Sequence, residues 1–524
     1  MMATEPQVIA RRLVAHNPAD GSAVGEYAIA DAAEVRRAVE RARAAQTGWS
    51  KTPLRSRIAV IRRFQRVLHQ CKDEVSAAIT REAGKPVVEA LLTEVLVVLD
   101  ATRFLIDNAF RLLGSEAVPH GNPIMKTKRG RLVREPHGVI GIVSPWNYPF
   151  SIPATETLAA LVAGNAVVVK PSEFTPGVVV KLGELLADAG LPEGLFQVVV
   201  GEGATGAALI ASDIDKLIFT GSVPTGKRVA QAAAERLLPV VLELGGKDAM
   251  IVLDDADLDV AAAGAVWGAF VNAGQTCLSV ERCYVHHSLY DRFTSTCAEK
   301  TAKLKVGNGM DPQTEVGPLI HERQLRIVEE QVADAVARGA RVLTGGRRLP
   351  DLGANFYAPT VLSGVDDTMR ILREETFGPV LPIMAYQTEA QAVELANDSE
   401  FGLSASVWTR DRARGEAIAA QLDAGTVMVN DAVTCFGISE APHGGFKASG
   451  LGRTHGRMGL EEMVRVKYID SDLLPTVKKV WWYGYGAGFA EQMRGFVDFL
   501  FAPGLGHRLR GGLQSTAALF RKRL

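Results

Sequence analysis

Apolar residues recur at helical spacing through the first hundred positions. Between Asp31 and Trp49, Val35, Val39 and Ala42 fall on one stripe among charged neighbours, which predicts an amphipathic helix. Ser56–Cys71 and Val87–Leu112 repeat the pattern. Around Ile124–Gly138 the texture turns basic and is punctuated by Gly and Pro, as in a hairpin or an arm.

The period then shortens. Gly138–Val143 and Ala166–Lys170 are β-branched runs of the kind that fill buried parallel strands, with Ile152–Ala163 helical between them. Phe196–Val200 and Leu217–Phe219 read as further strands, and Gly203–Ser212 and Gly226–Glu235 as helices. This alternation predicts a doubly wound α/β layer. A second α/β block starts at Gly246, with strands expected at Ala249–Leu253, Arg282–His286, Val380–Met384, Ser406–Thr409 and Thr426–Asn430.

Composition narrows the class. With 524 residues, 47% of them hydrophobic, the chain is too long for one core, and two or three domains are expected. A net charge of −1 gives no general reason to bind nucleic acid. The five cysteines have no framework spacing, no C-x-x-C and no histidine cluster beside them, so neither a disulfide scaffold nor a metal site is expected. Glu5, Arg11 and Arg12 interrupt any signal peptide, and no uncharged run is long enough to span a bilayer. A soluble, reducing, cytoplasmic setting is the expectation.

Several short motifs could carry chemistry. Phe196–Val200 runs into Gly201-Glu202-Gly203-Ala204-Thr205-Gly206, a G-x-G-x-x-G between strand and helix that suits a pyrophosphate; a ligand-free Gly-rich turn is the alternative. The usual ribose-binding carboxylate about 20 residues later has no clear candidate. Phe219-Thr220-Gly221-Ser222 ends a strand before a helix near Thr225, which suits a phosphate or simply a cap. Cys277, in Ala273-Gly274-Gln275-Thr276-Cys277, follows an apolar helix through Trp267 and Phe270. A small turn could present it to a cleft with a lowered pKa; a buried inert thiol is the alternative, and the reading for Cys71, Cys283, Cys297 and Cys435. Glu243 sits among aliphatic residues in Val240-Val241-Leu242-Glu243-Leu244-Gly245-Gly246-Lys247, where burial would raise its pKa towards that of a general base; an edge-strand Glu facing water is the alternative. In Ser144-Pro145-Trp146-Asn147-Tyr148-Pro149 the prolines stiffen a loop that could hold the Asn147 amide as an oxyanion donor.

Pro145-Trp146-Asn147, Lys170-Pro171-Ser172-Glu173, Phe219-Thr220-Gly221-Ser222, Leu242-Glu243-Leu244-Gly245-Gly246-Lys247, Gly274-Gln275-Thr276-Cys277 and Glu374-Glu375-Thr376-Phe377-Gly378-Pro379 occur in this order. Jointly they resemble the aldehyde dehydrogenase superfamily over roughly residues 15–470. The resemblance implies a Rossmann-like NAD-binding domain (1–117 and 137–245), an α/β catalytic domain (246–446) and an oligomerisation arm (118–136 and 447–475) in a homodimer or homotetramer. It implies Cys277 as nucleophile, Glu243 as general base, and the Asn147 amide with the Cys277 N–H as oxyanion hole. Lys170 and Glu173 would hold the adenosine ribose, Ser222 a phosphate, and Glu375 and Phe377 the nicotinamide riboside. Trp146, Gly203, Thr220, Gly221 and Leu244 complete the implied cofactor set. An aldehyde would be oxidised to an acid through a thiohemiacetal and a thioester, with NAD favoured because Glu173 repels a 2′-phosphate, and NADP the minor alternative.

Two features depart from the family. In Gly450-Leu451-Gly452-Arg453-Thr454, Thr454 stands where relatives often carry a glutamate; deacylation is then expected to rest on Glu243 and water, with His455 as a substitute or merely a surface histidine. The tail from Thr476 to Leu524 carries eight Lys/Arg against Glu491 and Asp498, with Trp481, Trp482, Tyr483, Tyr485, Phe489, Phe496, Phe499, Phe501 and Phe520. Phe489, Met493, Phe496, Val497 and Leu500 share one helical face, and Leu513, Ala517, Phe520 and Leu524 another beside Arg521, Lys522 and Arg523. The tail resembles an interfacial anchor for peripheral attachment to the inner face of an anionic membrane; a helical extension packed on the protein's own surface or on a neighbouring subunit is the alternative. Tyr148, Phe150, Trp267, Cys435 and Phe436 are expected at an apolar pocket, and the lack of an evident arginine disfavours a semialdehyde acid. A CoA-acylating dehydrogenase, a catalytically silent scaffold and a cysteine hydrolase are the rival readings.

Overall fold

A computed structural model of the chain describes residues 11–479, 481–486 and 488–521, with side chains described as far as 515 in the last helix. The β-branched runs do form buried strands. Val139–Val143, Ala166–Lys170, Phe196–Val198, Lys216–Thr220 and Val240–Glu243 lie in a six-stranded sheet. From one edge its order is Gly450–Leu451, Val240–Glu243, Lys216–Thr220, Val139–Val143, Ala166–Lys170, Phe196–Val198. All neighbours are parallel except Gly450–Leu451, which runs antiparallel with Gly450 opposite Glu243. The chain fills one side of Val139–Val143 and then crosses to the other, so the strand order reverses between Val139–Val143 and Lys216–Thr220. In open α/β sheets ligands bind outside the carboxyl ends at such a reversal. The loops at Trp146, Lys170, Thr220 and Glu243 all leave the sheet at that edge.

The second block forms a seven-stranded sheet in the order Arg341–Thr344, Thr360–Ser363, Val380–Tyr386, Val280–His286, Asp248–Val252, Ser404–Trp408, Thr426–Val429. Only the edge pair Arg341–Thr344 and Thr360–Ser363 is antiparallel. The helix Leu258–Phe270 leads into the Cys277 loop; Asp257 caps it by accepting from the Val260 amide. Cys277 and the segment Glu375–Pro379 therefore precede strands Val280–His286 and Val380–Tyr386, at this sheet's amino edge.

The helix expected over Val87–Leu112 is broken. Ala90–Val95 forms a π turn between Val87–Glu89 and Leu96–Leu113. The break has a cause in charge: it carries Glu94, which is fully buried with Lys85 at 2.7 Å. Glu94 also accepts the backbone amides of Phe150 and Ser151 at 2.8 and 3.0 Å, tying down the loop after Asn147. A π turn rotates one side chain out of helical register, and such turns recur at functional sites. Periodicity alone cannot report it, because the apolar stripe continues on both sides.

The chain divides into two compact units, one holding the residues up to Ser115 with Val133–Lys467, the other Glu116–Leu132 with the chain from Tyr468 onward. Residues 447–467, expected in the arm, thus belong with the first unit, where Gly450–Leu451 extends the six-stranded sheet. In the second unit Glu116–Val118 pairs antiparallel with Lys128–Pro136, Glu116 opposite Leu132, and Lys128 ion-pairs with Asp470. Its helices Phe489–Phe501 and Leu505–Arg521 form a hairpin whose contact is made by small residues: a methyl on Gly495 would meet the Gly511 carbonyl oxygen at 2.8 Å. Of the apolar face predicted there, Phe489, Met493, Phe496 and Leu500 are half-buried and Val497 is exposed; Ala517, Phe520 and Leu524 lie outside the described side chains. Among the described residues no helix is long and apolar enough to cross a membrane.

Removing Lys85 would leave the Glu94 carboxylate buried and unpaired. Lys85→Met is expected to lower unfolding free energy by about 3–5 kcal/mol, read as the shift of a urea unfolding midpoint. A change below about 1 kcal/mol would show that the pair does not hold this junction.

Candidate active site

A cavity of about 610 Å³ opens between the two sheets, and both Cys277 and Glu243 line it. Tyr148, Trp267 and Phe436 line it as expected, but Phe150 and Cys435 are packed behind the wall. At its mouth Leu92, Leu96 and Ile438 are exposed. Among the described residues no Lys or Arg lines it; its acidic residues are Asp100, Glu156, Glu243 and Asp431.

The Cys277 loop takes its shape from a tight reversal. Asn272, Ala273 and Gly274 all adopt left-handed backbone, at φ of 54°, 55° and 72°. Asn272 and Ala273 pay a steric penalty there that glycine does not, and hydrogen bonds hold them. The Asn272 amide donates to Glu89 at 2.9 Å, and its side chain donates to the carbonyls of Asn147 and Gln275 at 3.0 and 3.1 Å. The Asn147 side-chain amide donates to Gln275 O at 3.1 Å. One of its two N–H bonds is thus fixed two residues before Cys277, and the other remains for an acceptor. Asn147 itself is buried and outside the cavity lining. Tyr148 adds a 2.8 Å hydrogen bond to Thr276.

Expectation and structure differ on the thiol. A lowered pKa was expected for Cys277; instead burial, reinforced by Asp248, Glu375 and Glu243, pushes the thiol well above its ordinary value. The loop lacks a neighbouring cation, and carboxyls surround it. Without a compensating positive charge, that shift favours the thiol over the thiolate.

Glu243 ends its strand between Gly450–Leu451 and Lys216–Thr220, so it is not an edge residue facing water. It is buried, and neither carboxyl oxygen has a hydrogen-bond partner. Burial, then the charge of Glu156, raise its pKa well above the usual carboxylate value, with Arg453 opposing. His443 Nε2 lies 3.7 Å away, too far for a hydrogen bond, and burial pushes that imidazole down to about 3, leaving it neutral. Thr454 is buried in the cavity wall. His455 is no surface histidine: it lines the cavity with both ring nitrogens shielded and is pushed by burial to about 4. Phe436 packs edge-on against both imidazoles.

The residues expected to hold a dinucleotide gather along the carboxyl edge of the six-stranded sheet. Thr220 and Leu244 share the cavity with Cys277 and Glu243; the Thr220 hydroxyl is buried without a partner. Trp146 meets Phe377 edge to face at 5.4 Å. Glu375 is docked on the Gly246 amide at 3.1 Å, and the Thr376 and Phe377 amides donate to Glu281, which pairs with the buried Lys247 at 2.6 Å. Lys170, at its strand's end, reaches Glu173 at 3.4 Å. Gly203 opens the helix Gly203–Ala211 and Ser222 precedes Val223–Ala234, so two helix N-termini with free amides face this edge. An unpartnered hydroxyl, a carboxylate beside a lysine and two helix starts at a strand-order reversal fit a dinucleotide. Glu156, His443 and Glu281 escaped the sequence reading: each lies outside the quoted motifs, and nothing in local periodicity marks a buried ionisable group; Lys247 ends a quoted motif but was given no role there.

The comparisons agree with this geometry. Residues 5–469 match the aldehyde dehydrogenase family. A Methylomonas protein named 4,4'-diapolycopene aldehyde oxidase is 40% identical over 512 residues, covering 97% of this chain and 94% of the relative. A Mycolicibacterium smegmatis protein with the provisional name succinate-semialdehyde dehydrogenase (NADP(+)) is 42% identical over 450 residues, 86% of this chain and 85% of the relative. The structure of a Bacillus cereus aldehyde dehydrogenase in complex with NAD+ superposes with a TM-score of 0.85 at 33% identity, covering 88% of this chain and 94% of that one. The chain belongs to the aldehyde dehydrogenase family.

Proposed function

We propose that this enzyme oxidises an uncharged, apolar aldehyde to its carboxylic acid through a thioester on Cys277, which water activated by Glu243 hydrolyses. The observation that carries this reading is the single cavity lined by both Cys277 and Glu243. Cys277 gives up its thiol proton to cavity water and attacks the carbonyl as thiolate, and the free N–H of Asn147 with the Cys277 amide receives the oxyanion. Bound NAD(P)+ would supply the hydride acceptor, and its positive charge would favour that thiolate. Once the acyl group is on sulfur, the raised pKa of Glu243 suits it to take a proton from water. NAD is the proposed coenzyme: Glu173 suits a ribose 2′-hydroxyl and repels a 2′-phosphate, and Lys170 is already engaged by it. A homodimer or homotetramer is the proposed assembly.

Substrate class follows from the wall. Acidic groups line the cavity and no cation does, which disfavours a substrate carboxylate of the kind named for the M. smegmatis relative. An apolar mouth favours a long hydrocarbon. Glu243 disfavours CoA acylation, because it equips the site to spend the thioester on water. NADH formation across straight-chain aldehydes of graded length is expected to rise in kcat/KM with length, to fail for an aldehyde bearing a terminal carboxylate, and to vanish in Cys277→Ser. Preference for the carboxylate-bearing aldehyde would overturn the substrate class; turnover by Cys277→Ser would overturn the thioester.

The tail is proposed to attach the enzyme to an anionic membrane. Phe499, Phe501, Leu505, Leu509 and Leu513 are exposed on its helical hairpin together with Arg508 and Arg510. An alignment of 512 residues also takes in most of residues 476–524, so the Methylomonas relative, named for a diapolycopene aldehyde, shares the tail. Full-length protein should float with vesicles containing phosphatidylserine and lose this in a version cut at Pro475. Equal sedimentation of both forms would sink the idea.

A further inference from the structure

Of the acidic groups in the cavity that the mechanism above does not use, Glu156 is buried without a partner for one of its oxygens. Glu156 lies on the helix Ser151–Ala163, directly after the Asn147 loop, and is buried. It lines the same cavity as Glu243, and its Oε2 has no hydrogen-bond partner. The neighbouring hydroxyl of Thr155 is turned away, donating to the carbonyls of Ser151 and Ile152 at 2.9 and 3.1 Å. A buried carboxylate without a partner is costly, and two of them in one cavity cannot both stay ionised without further cost.

Resting on the thioester reading, we propose that Glu156 is the proton partner of Glu243: the two buried carboxyls share one proton across the cavity, and the proton Glu243 takes from the attacking water passes to Glu156. The step balances without a redox partner. Water adds to the thioester carbonyl as Glu243 accepts a proton; the carbon–sulfur bond breaks, sulfur leaves as thiolate and carbon as carboxylic acid. Glu243 must then lose its proton before the next water. Glu156, which holds the shared proton while Glu243 acts as base, releases it to solvent through the cavity mouth and then takes over the proton of Glu243, directly or through a cavity water.

The other groups facing this pair are poorer acceptors. His443 and His455 are held neutral by burial, with values of about 3 and about 4. Arg453 acts on Glu243 and His443 from the neighbouring segment and favours their proton-free forms. Asp100 is only half-buried, Asp431 is exposed and accepts from the Thr434 hydroxyl at 2.6 Å, and Cys277 must stay available as nucleophile. Burial instead lifts Glu156 to about 8, a value suited to holding a proton at neutral pH. Thr454 can neither accept nor hold a charge, so Glu156 supplies the second carboxyl that its segment lacks.

Glu156→Gln keeps the shape and removes the proton site. With decanal and NAD+, quenched turnover of this variant should still show acylated Cys277, while steady-state kcat falls by about tenfold or more. The acid limb of kcat should also move by about one pH unit, because Glu243 no longer titrates as half of a proton-sharing pair. A merely structural role would lower melting temperature or occupancy and leave the limb in place. Glu156→Ala, assayed with and without formate, is the second variant, and formate is expected to restore kcat. A wild-type limb in Glu156→Gln, or in Glu156→Ala without rescue by formate, overturns the proposal. A wild-type enzyme with no acyl group on Cys277 strikes the thioester reading instead.

Discussion

Three loops from two sheets approach more closely here than a methyl group permits, and the site depends on that approach. A Cβ on Gly246 would meet the Cys277 carbonyl oxygen at 2.5 Å, and one on Gly274 would collide with the Gly378 backbone. Gly246 follows Glu243, Gly274 precedes Cys277, and Gly378 follows Phe377. The glycines therefore bring the exit of one sheet against the entry of the other, so that Glu243 and Cys277 share one cavity. Backbone contact of this kind is rigid, since no rotamer can relieve it.

Charge is the second constraint. Buried ion pairs brace the walls: Lys85–Glu94 holds the start of the helix Ser151–Ala163, and Lys247–Glu281 holds the amides of Thr376 and Phe377. Inside the cavity the pattern reverses, and the carboxyls stand without cations. Paired charge fixes geometry; unpaired charge raises the thiol and the carboxyls together. A protein that pairs its buried charges a few ångströms away yet leaves these unpaired keeps them titratable.

Much of this was legible in the sequence. Ala166–Lys170 is legible end for end and the other expected strands to within a few residues, because a β-branched run buried on both faces has few other uses, whereas the short strands Arg341–Thr344, Thr360–Ser363 and Gly450–Leu451 were not expected. Glu243 stood out as a charge among aliphatic residues, and it is buried. The thiol's pKa was misjudged because it depends first on burial and then on Asp248 and Glu375, which are distant in sequence from one another. Glu156 was missed for a similar reason: in Ala154-Thr155-Glu156-Thr157-Leu158 it reads as one polar turn of a helix, and only the fold turns it towards Glu243. The π turn at Ala90–Val95 left no break in the apolar stripe to announce it.

The central claim is that sulfur carries the acyl group and Glu243 removes it. Glu243→Gln mixed with a fatty aldehyde and NAD+ tests both halves when intact mass and NADH are followed together. The account predicts about one NADH per active site and an acyl adduct on the peptide containing Cys277 that persists for many wild-type turnover times. Sustained NADH production with no adduct on that peptide would contradict it.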